Sequence, residues 1–249
     1  MTPDPFSWMG LPVAASAHAG DIDRLLLLVH ALMFVIFIGW GIFFVYVLFR
    51  FRQSRSPVPS TAGLNGRAFT WIEAGVVLAE VVLLAFFSIP AWSARVDAFP
   101  TQGTSTVVRV VAEQFAWNVH YPGADGRFGR TALDLVSADN PLGLDRHDPA
   151  ATDDITTVNE LHLPTGRPVI VLLSSKDVVH SFGLPQMRVK QDAVPGLVQP
   201  VWFTPTLTGA WDITCSQLCG LGHYRMKGRY VIESPAAYAA WLAKERGTS

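Results

Sequence analysis

The chain has 249 residues, 50% of them hydrophobic and 16% charged, with 19 basic and 20 acidic side chains and a formal net charge of −1. So apolar a composition excludes an ordinary soluble domain of this size and implies membrane spans. No internal repeat, Gly-rich phosphate loop, Cys-x-x-Cys-His haem attachment or basic nucleic-acid stripe occurs.

Residues 1–24 carry Asp4, Asp21 and Asp23 with no basic residue before Arg24. They lack the charged start and apolar core of a signal peptide and read as an exported tail. Residues 25–49 contain no Asp, Glu, Lys or Arg, a run longer than the roughly 20 residues needed to cross the hydrocarbon core. Residues 71–92 form a second apolar stretch, with Trp71 and Trp92 at its ends as interface anchors, Glu73 and Glu80 within it and Pro90 near its close. The segment between them, residues 50–70, holds Arg50, Arg52, Arg55 and Arg67 and no acid, so the positive-inside rule places it in the cytoplasm and both chain ends outside. The predicted organisation is a tail over 1–24, a transmembrane hairpin over 25–92 and an exported domain over 93–249.

Glu73 and Glu80 stand seven positions apart, about 20° around a helix axis and about 10.5 Å along it, so one face carries both. An ionisable side chain inside the membrane costs about 2.5–3.5 kcal/mol on insertion scales and marks a proton path or a buried partner.

In the exported domain, residues 106–121 are predicted to form one strand with Val107, Val111, Phe115, Trp117, Val119 and Tyr121 on a shared face. Residues 131–160 hold seven acids against Arg146 alone and show no period; they read as a long surface loop whose charge steers a basic partner. Further strands are predicted at residues 169–174, 178–184, 197–203, 211–215 and 229–233, with turns such as Pro195-Gly196 between them, and a short helix at 235–244. Short strands punctuated by Gly and Pro imply an all-β sandwich or barrel.

The segment Cys215-Ser216-Gln217-Leu218-Cys219-Gly220-Leu221-Gly222-His223-Tyr224-Arg225-Met226 concentrates two thiols, an imidazole and a thioether, and soft ligands of this kind favour copper, zinc or iron-sulfur. A disulfide between the only two cysteines leaves His223 and Met226 without a reason. Structural zinc leaves Met226 idle, and a mononuclear blue-copper site needs one thiolate, not two. Two cysteine sulfurs that each bridge two metals give a binuclear centre, in which each metal needs one imidazole. His223 supplies one and His180 in the strand-like run before the loop supplies the other, while Met226 and the Gln217 carbonyl fill the two weak positions.

The pattern C-S-x-x-C-G-x-x-H-x-x-M, with Asp177-Val178-Val179-His180-Ser181 upstream, resembles the CuA domain of subunit II of haem-copper respiratory oxidases. The resemblance runs from the first apolar helix to about Tyr238. It implies a two-helix transmembrane hairpin followed by an all-β cupredoxin-like domain on the periplasmic face of the cytoplasmic membrane. It also implies a binuclear copper cofactor, a haem-copper subunit I as partner in the lipid bilayer, and cytochrome c as donor to an oxidase that reduces dioxygen to water. Gln114-Phe115-Ala116-Trp117 is similar to the family's aromatic electron-input stretch, with Phe115 where Trp is common and Trp117 as a substitute or core residue. Gln217 replaces a Glu that helps hold magnesium in the family, and a neutral amide is a poorer ligand for a hard dication. Asp177 and Asp192 fall in segments that face the haem-bearing subunit, and Glu73 resembles the family's Glu at a proton-uptake mouth. A copper subunit of a nitric oxide reductase shares this loop, a copper carrier differs by exchanging its metal, and a quinol oxidase subunit is expected to lose the ligands. His18, His30, His120, His147 and His162 lack partners at ligand spacing and read as structural or solvated.

Overall fold

The structure is a computed structural model that describes residues 7–55, 58 and 66–247. The rest of the tail, Asp4 included, and much of the expected 50–70 loop lie outside the described residues.

Two units divide the chain: residues 21–98, and a second unit formed by residues 1–20 with 99–249. The first holds, but for Ala19 and Gly20, two helices long and apolar enough to cross a membrane, Ala19–Arg50 and Arg67–Val96. Both outrun their apolar cores, because charged and small residues at the ends continue a helix that the bilayer argument has no reason to count. The second helix widens into a π turn at Leu84–Ser88. Pro90 follows directly, and its missing N–H and bulky ring disturb the ladder at that point. Glu73 and Glu80 are both exposed on this helix.

The other unit is a sandwich of two five-stranded sheets. Its strands are β1 (Thr106–Glu113), β2 (Ala116–Tyr121), β3 (Ile155–Val158), β4 (Glu160–Pro164), β5 (Val169–Ser175), β6 (His180–Leu184), β7 (Val189–Ala193), β8 (Gln199–Phe203), β9 (Gly209–Cys215) and β10 (Lys227–Glu233). One sheet runs β3-β2-β1-β5-β8 and the other β4-β10-β9-β6-β7. The pairs β1–β5 and β4–β10 are parallel and the remaining pairs antiparallel. The core lies between the sheets, where Val108, Val110, Trp117, Val119, Leu161, Leu163, Val171, Leu173, Phe182 and Ile213 are buried. The C-terminal helix, Pro235–Arg246, starts at Ser234, whose side chain accepts from the Ala237 N–H, and it docks Trp241 flat against His162.

The single strand expected over residues 106–121 is a hairpin. Its turn at Gln114 and Phe115 escapes a sequence reading because residues 112–117 contain no Gly, Pro, Asn or Asp. The turn also shifts the buried phase: Val108, Val110 and Ala112 point inward on β1, whereas Val107 and Val111 are only half-buried. On β2, Trp117, Val119 and Tyr121 face the core as expected. β3, β4 and β7 are additional strands. β3 lies in what read as the end of the acidic loop, and polar residues such as Lys190 and Asp192 obscure the pattern of β7.

Part of the N-terminal tail belongs to the sandwich. The Ala15 N–H donates to the Gln186 carbonyl at 2.8 Å, Ala17 to Thr204 at 3.0 Å, and Thr206 back to Ala15 at 2.8 Å, leaving Ala15 fully buried.

The segment between β2 and β3 is ordered by its own acids. Asp154 accepts from the Gly123 and Gly129 N–H groups at 2.9 and 2.8 Å and from His120 Nε2 at 2.6 Å. Arg109 lies over the Phe128 ring, which meets His120 edge-on. Burial lowers the His120 pKa below its ordinary value; the Asp154 contact opposes that shift, while Arg109 and Arg146 add to it. As pH falls through about 6.5, the unfolded chain takes up a proton that the folded His120 resists. The stabilisation is therefore present above that pH and lost below it. The denaturation midpoint of the sandwich is expected to fall between pH 7.5 and 5.5, and His120→Gln to flatten that slope while costing about 1.5–3 kcal/mol for the lost charge-assisted bond. Denaturant melts across this range check it, and an unchanged slope in the variant removes His120 as the cause.

Candidate metal centre

The site is built on the register of β6, β9 and β10. Phe182 pairs with Cys215, and Lys227 pairs with Thr214. His180 stands two residues before Phe182 on the same side of its strand, so the ladder alone carries it toward Cys215. Residues 216–226 connect β9 to β10 as a loop whose two feet are held by that ladder.

All six predicted donors converge. The Cys215 and Cys219 sulfurs are 3.7 Å apart and unbonded. His180 Nδ1 lies 3.1 Å from Met226 Sδ and 4.0 Å from Cys215 Sγ, and His223 Nδ1 lies 3.6 Å from Cys219 Sγ. Met226 Sδ is 3.7 Å from Cys219 Sγ, and the Gln217 carbonyl oxygen is 3.3 Å from Cys215 Sγ. His180, Cys219 and Met226 are buried. His180, Cys215 and Cys219 present ligand atoms within 4.8 Å of one another.

The tautomer of His180 follows from its surroundings. Its Nε2 lies 2.9 Å from Asp177 Oδ1. Burial alone pushes the Asp177 carboxyl up, but the His180 imidazole and the Gln114 and Val178 amides outweigh it and hold the group below its ordinary value. An ionised carboxylate only accepts, so Nε2 carries the hydrogen and Nδ1 turns a lone pair toward the sulfurs, as a metal-ligating imidazole requires. Burial and the neighbouring Cys215 sulfur push the Cys219 thiol up to about 11. A metal taken up here displaces that proton, which makes uptake and deprotonation one event. Two thiolates, two imidazoles, a thioether and a carbonyl form a soft donor set that fits copper better than a hard cation.

The structure sorts the other predicted residues. Trp117 is fully buried, edge-on to Phe182 and His180 with ring centroids 5.5 and 6.3 Å away, and takes the core role. Phe115 is half-buried and lies over the loop: a Cβ built on Gly222 would sit 2.4 Å from its ring. Asp192 is on β7 opposite Ser181, beside the His180 pairing. Glu73 and Glu80 belong to the other unit. Leu218, Leu221 and Tyr224, at 79, 97 and 86% exposed, form an apolar rim around the loop that the ligand spacing did not disclose. Gln114 also reaches the loop, its Nε2 donating to the Cys219 carbonyl. It stood inside the aromatic stretch, but only the fold brings it to Cys219.

The sequence pattern of the family described as "Cytochrome C oxidase subunit II, periplasmic domain" matches residues 106–234. The alternative cytochrome c oxidase subunit 2 of Bradyrhizobium diazoefficiens is 34% identical over 248 residues, covering 96% of this chain and 84% of that protein. The cytochrome c oxidase subunit 2 of Cereibacter sphaeroides is 27% identical over 249 residues, covering 95% of this chain and 78% of that protein. The crystal structure of the periplasmic domain of subunit II of cytochrome oxidase from Bradyrhizobium japonicum aligns at a TM-score of 0.44 and 27% identity, over 60% of this chain and 97% of that one. The chain belongs to the cytochrome c oxidase subunit II family. It is a subunit of an oxidoreductase complex, and these relatives favour the oxidase over the nitric oxide reductase, copper carrier and quinol oxidase readings. Membership implies copper at the His180, Cys215 and Cys219 cluster, a membrane-anchored chain with a periplasmic domain, and association with other oxidase subunits.

The packing of Phe115 on the loop generates a test. Gly222→Ala forces its new methyl into the ring and is expected to cost about 1–3 kcal/mol, the range for overpacking a filled site. In a Phe115→Ala background the same change is expected to cost much less. A double-mutant cycle by denaturant melts checks this, and additive costs contradict the contact.

Proposed function

We propose that the chain holds a binuclear copper centre on Cys215, Cys219, His180, His223, Met226 and the Gln217 carbonyl, and that it receives electrons there from cytochrome c for delivery to the haem-copper subunit. The observation that carries this reading is the convergence of both imidazole Nδ1 atoms and Met226 Sδ on two unbonded sulfurs. When bound, the copper pair accepts and releases a single electron. The protein's own part is to keep the six donors at fixed spacing, to bury the thiolate side of the site and to hold the Nε2 proton of His180 on Asp177. The apolar rim of Leu218, Leu221 and Tyr224, with Phe115 beneath it, is the surface offered to the donor. Asp145 pairs with Arg130, Asp148 caps a short turn, Asp153 accepts from Ala124, and Asp154 is buried. Hydrogen bonds to neutral amides do not cancel a carboxylate's charge, so apart from the Asp145–Arg130 pair the segment keeps its field for long-range steering, with Asp134 and Asp139 exposed. Magnesium is not assigned, since Gln217 offers only a neutral amide.

Metal analysis of the full chain is expected to give two coppers per chain, with an electron paramagnetic resonance spectrum of one electron shared over both. Cys215→Ser and Cys219→Ser are each expected to abolish the shared spectrum, because on this reading both metals would draw on each thiolate. One copper with a localised spin contradicts the reading.

In the membrane unit, Glu73 is assigned to proton uptake from the cytoplasmic side and Glu80, on the same helix face, to pairing with a basic group of the catalytic subunit in the bilayer. Glu73→Gln is expected to slow oxygen consumption severalfold while leaving copper reduction by cytochrome c unchanged. Stopped-flow reduction beside steady-state turnover separates the two steps, and normal turnover removes Glu73 from the path.

A further inference from the structure

The hairpin turn between β1 and β2 belongs to one sheet, while every metal donor stands on strands of the other sheet or on the loop between them. The turn nonetheless reaches both sides of the site through one residue. Gln114 Nε2 donates to the Cys219 carbonyl at 2.6 Å, and the Gln114 main-chain N–H donates to Asp177 Oδ2 at 2.7 Å. Asp177 Oδ1 in turn accepts from His180 Nε2 at 2.9 Å.

The loop is shaped to admit this contact. Gly220 has φ +133°, a conformation that side-chain-bearing residues rarely adopt, and a Cβ built on it would lie 2.6 Å from Gln114 Nε2. The glycine that follows Cys219 is thus favoured by its own backbone, and its bare Cα leaves room for the amide that approaches it. Nothing in the ligand chemistry asks for either.

Resting on the copper reading above, we propose that Gln114 is a positioning residue for the metal loop. It ties the Cys219 end of the loop to the Asp177–His180 pair, and so sets the spacing between the buried thiolate and the distant imidazole before any metal binds. The role needs a donor and not only a shape. Methionine at this place fills similar volume without an N–H, and glutamate turns an acceptor toward the Cys219 carbonyl, where two acceptors repel. Both substitutions keep the main-chain N–H to Asp177, so they isolate the side-chain half of the clamp.

The test uses the full chain purified in detergent, as wild type, Gln114→Met and Gln114→Glu. In the metal-free chain, amide hydrogen exchange over residues 218–223 is expected to be about tenfold faster in Gln114→Met, the loss of one part-buried hydrogen bond, while the β-sheet amides keep their wild-type protection. In the copper-loaded chain the same variant is expected to lose metal to a chelator about tenfold faster and to show altered copper hyperfine splitting, with Gln114→Glu further displaced in both. Wild-type loop exchange together with wild-type spectra in both variants overturns the proposal. So does faster exchange spread evenly over the whole domain, since that marks a general loss of stability. If the exchange arm gives the expected result but the wild-type chain takes up no copper pair, the clamp stands and the copper reading beneath it fails.

Discussion

The structure depends on bringing soft donors from two separated parts of the chain to one point and holding them there without a covalent link. The antiparallel ladder does most of this. Pairing of Phe182 with Cys215 sets His180 beside the first cysteine, and pairing of Lys227 with Thr214 closes the loop immediately after Met226, the other end of the donor run. A slip of one residue between β6 and β9 turns His180 to the opposite face and empties the site of its second imidazole. The apolar core between the sheets is therefore what fixes the donor geometry, because buried residues such as Phe182 and Ile213 permit only one register.

How much of this was legible depends on how local each signal is. The donor run from Cys215 to Met226 is a spacing pattern within one loop, so the sequence displays it directly, and the apolar spans are legible for the same reason. The hairpin at Gln114 and Phe115 was not legible, because its turn lacks the residues that ordinarily mark one and because strand-like alternation continues across it. The inward face of β1 was misread as a consequence: once the chain reverses at residue 114, the phase read from β2 no longer applies to Val107 and Val111. The role of Gln114 depends on a residue more than a hundred positions away, and no local pattern carries such information.

The acidic segment between β2 and β3 shows a second limit of sequence reading. A tally of side chains gives charge but not how that charge is spent. Asp148 caps a short helix through the Ala150 N–H while also accepting from the Arg130 N–H, and Asp153 and Asp154 satisfy amides of the turn after β2. These carboxylates supply the acceptors that an irregular segment lacks when it has no ladder to satisfy its N–H groups. A run of acids without a period thus orders a loop as well as charging its surface.

Electron transfer at a metal site favours surroundings that do not rearrange when the charge changes, yet loops are ordinarily the most mobile part of a fold. This loop escapes that tendency because it lies at the seam of the sandwich. One sheet supplies its feet. The other supplies Trp117 against the back of His180, the Phe115 ring against Gly222, and the Gln114 amide against Cys219. Movement of the cysteine end must break a hydrogen bond and displace a packed ring together, and movement of His180 must disturb both Asp177 and a buried indole. The two sheets meet in an apolar core that resists relative sliding, so the spacing of the donors inherits the rigidity of the whole domain and not that of the loop over residues 216–226 alone.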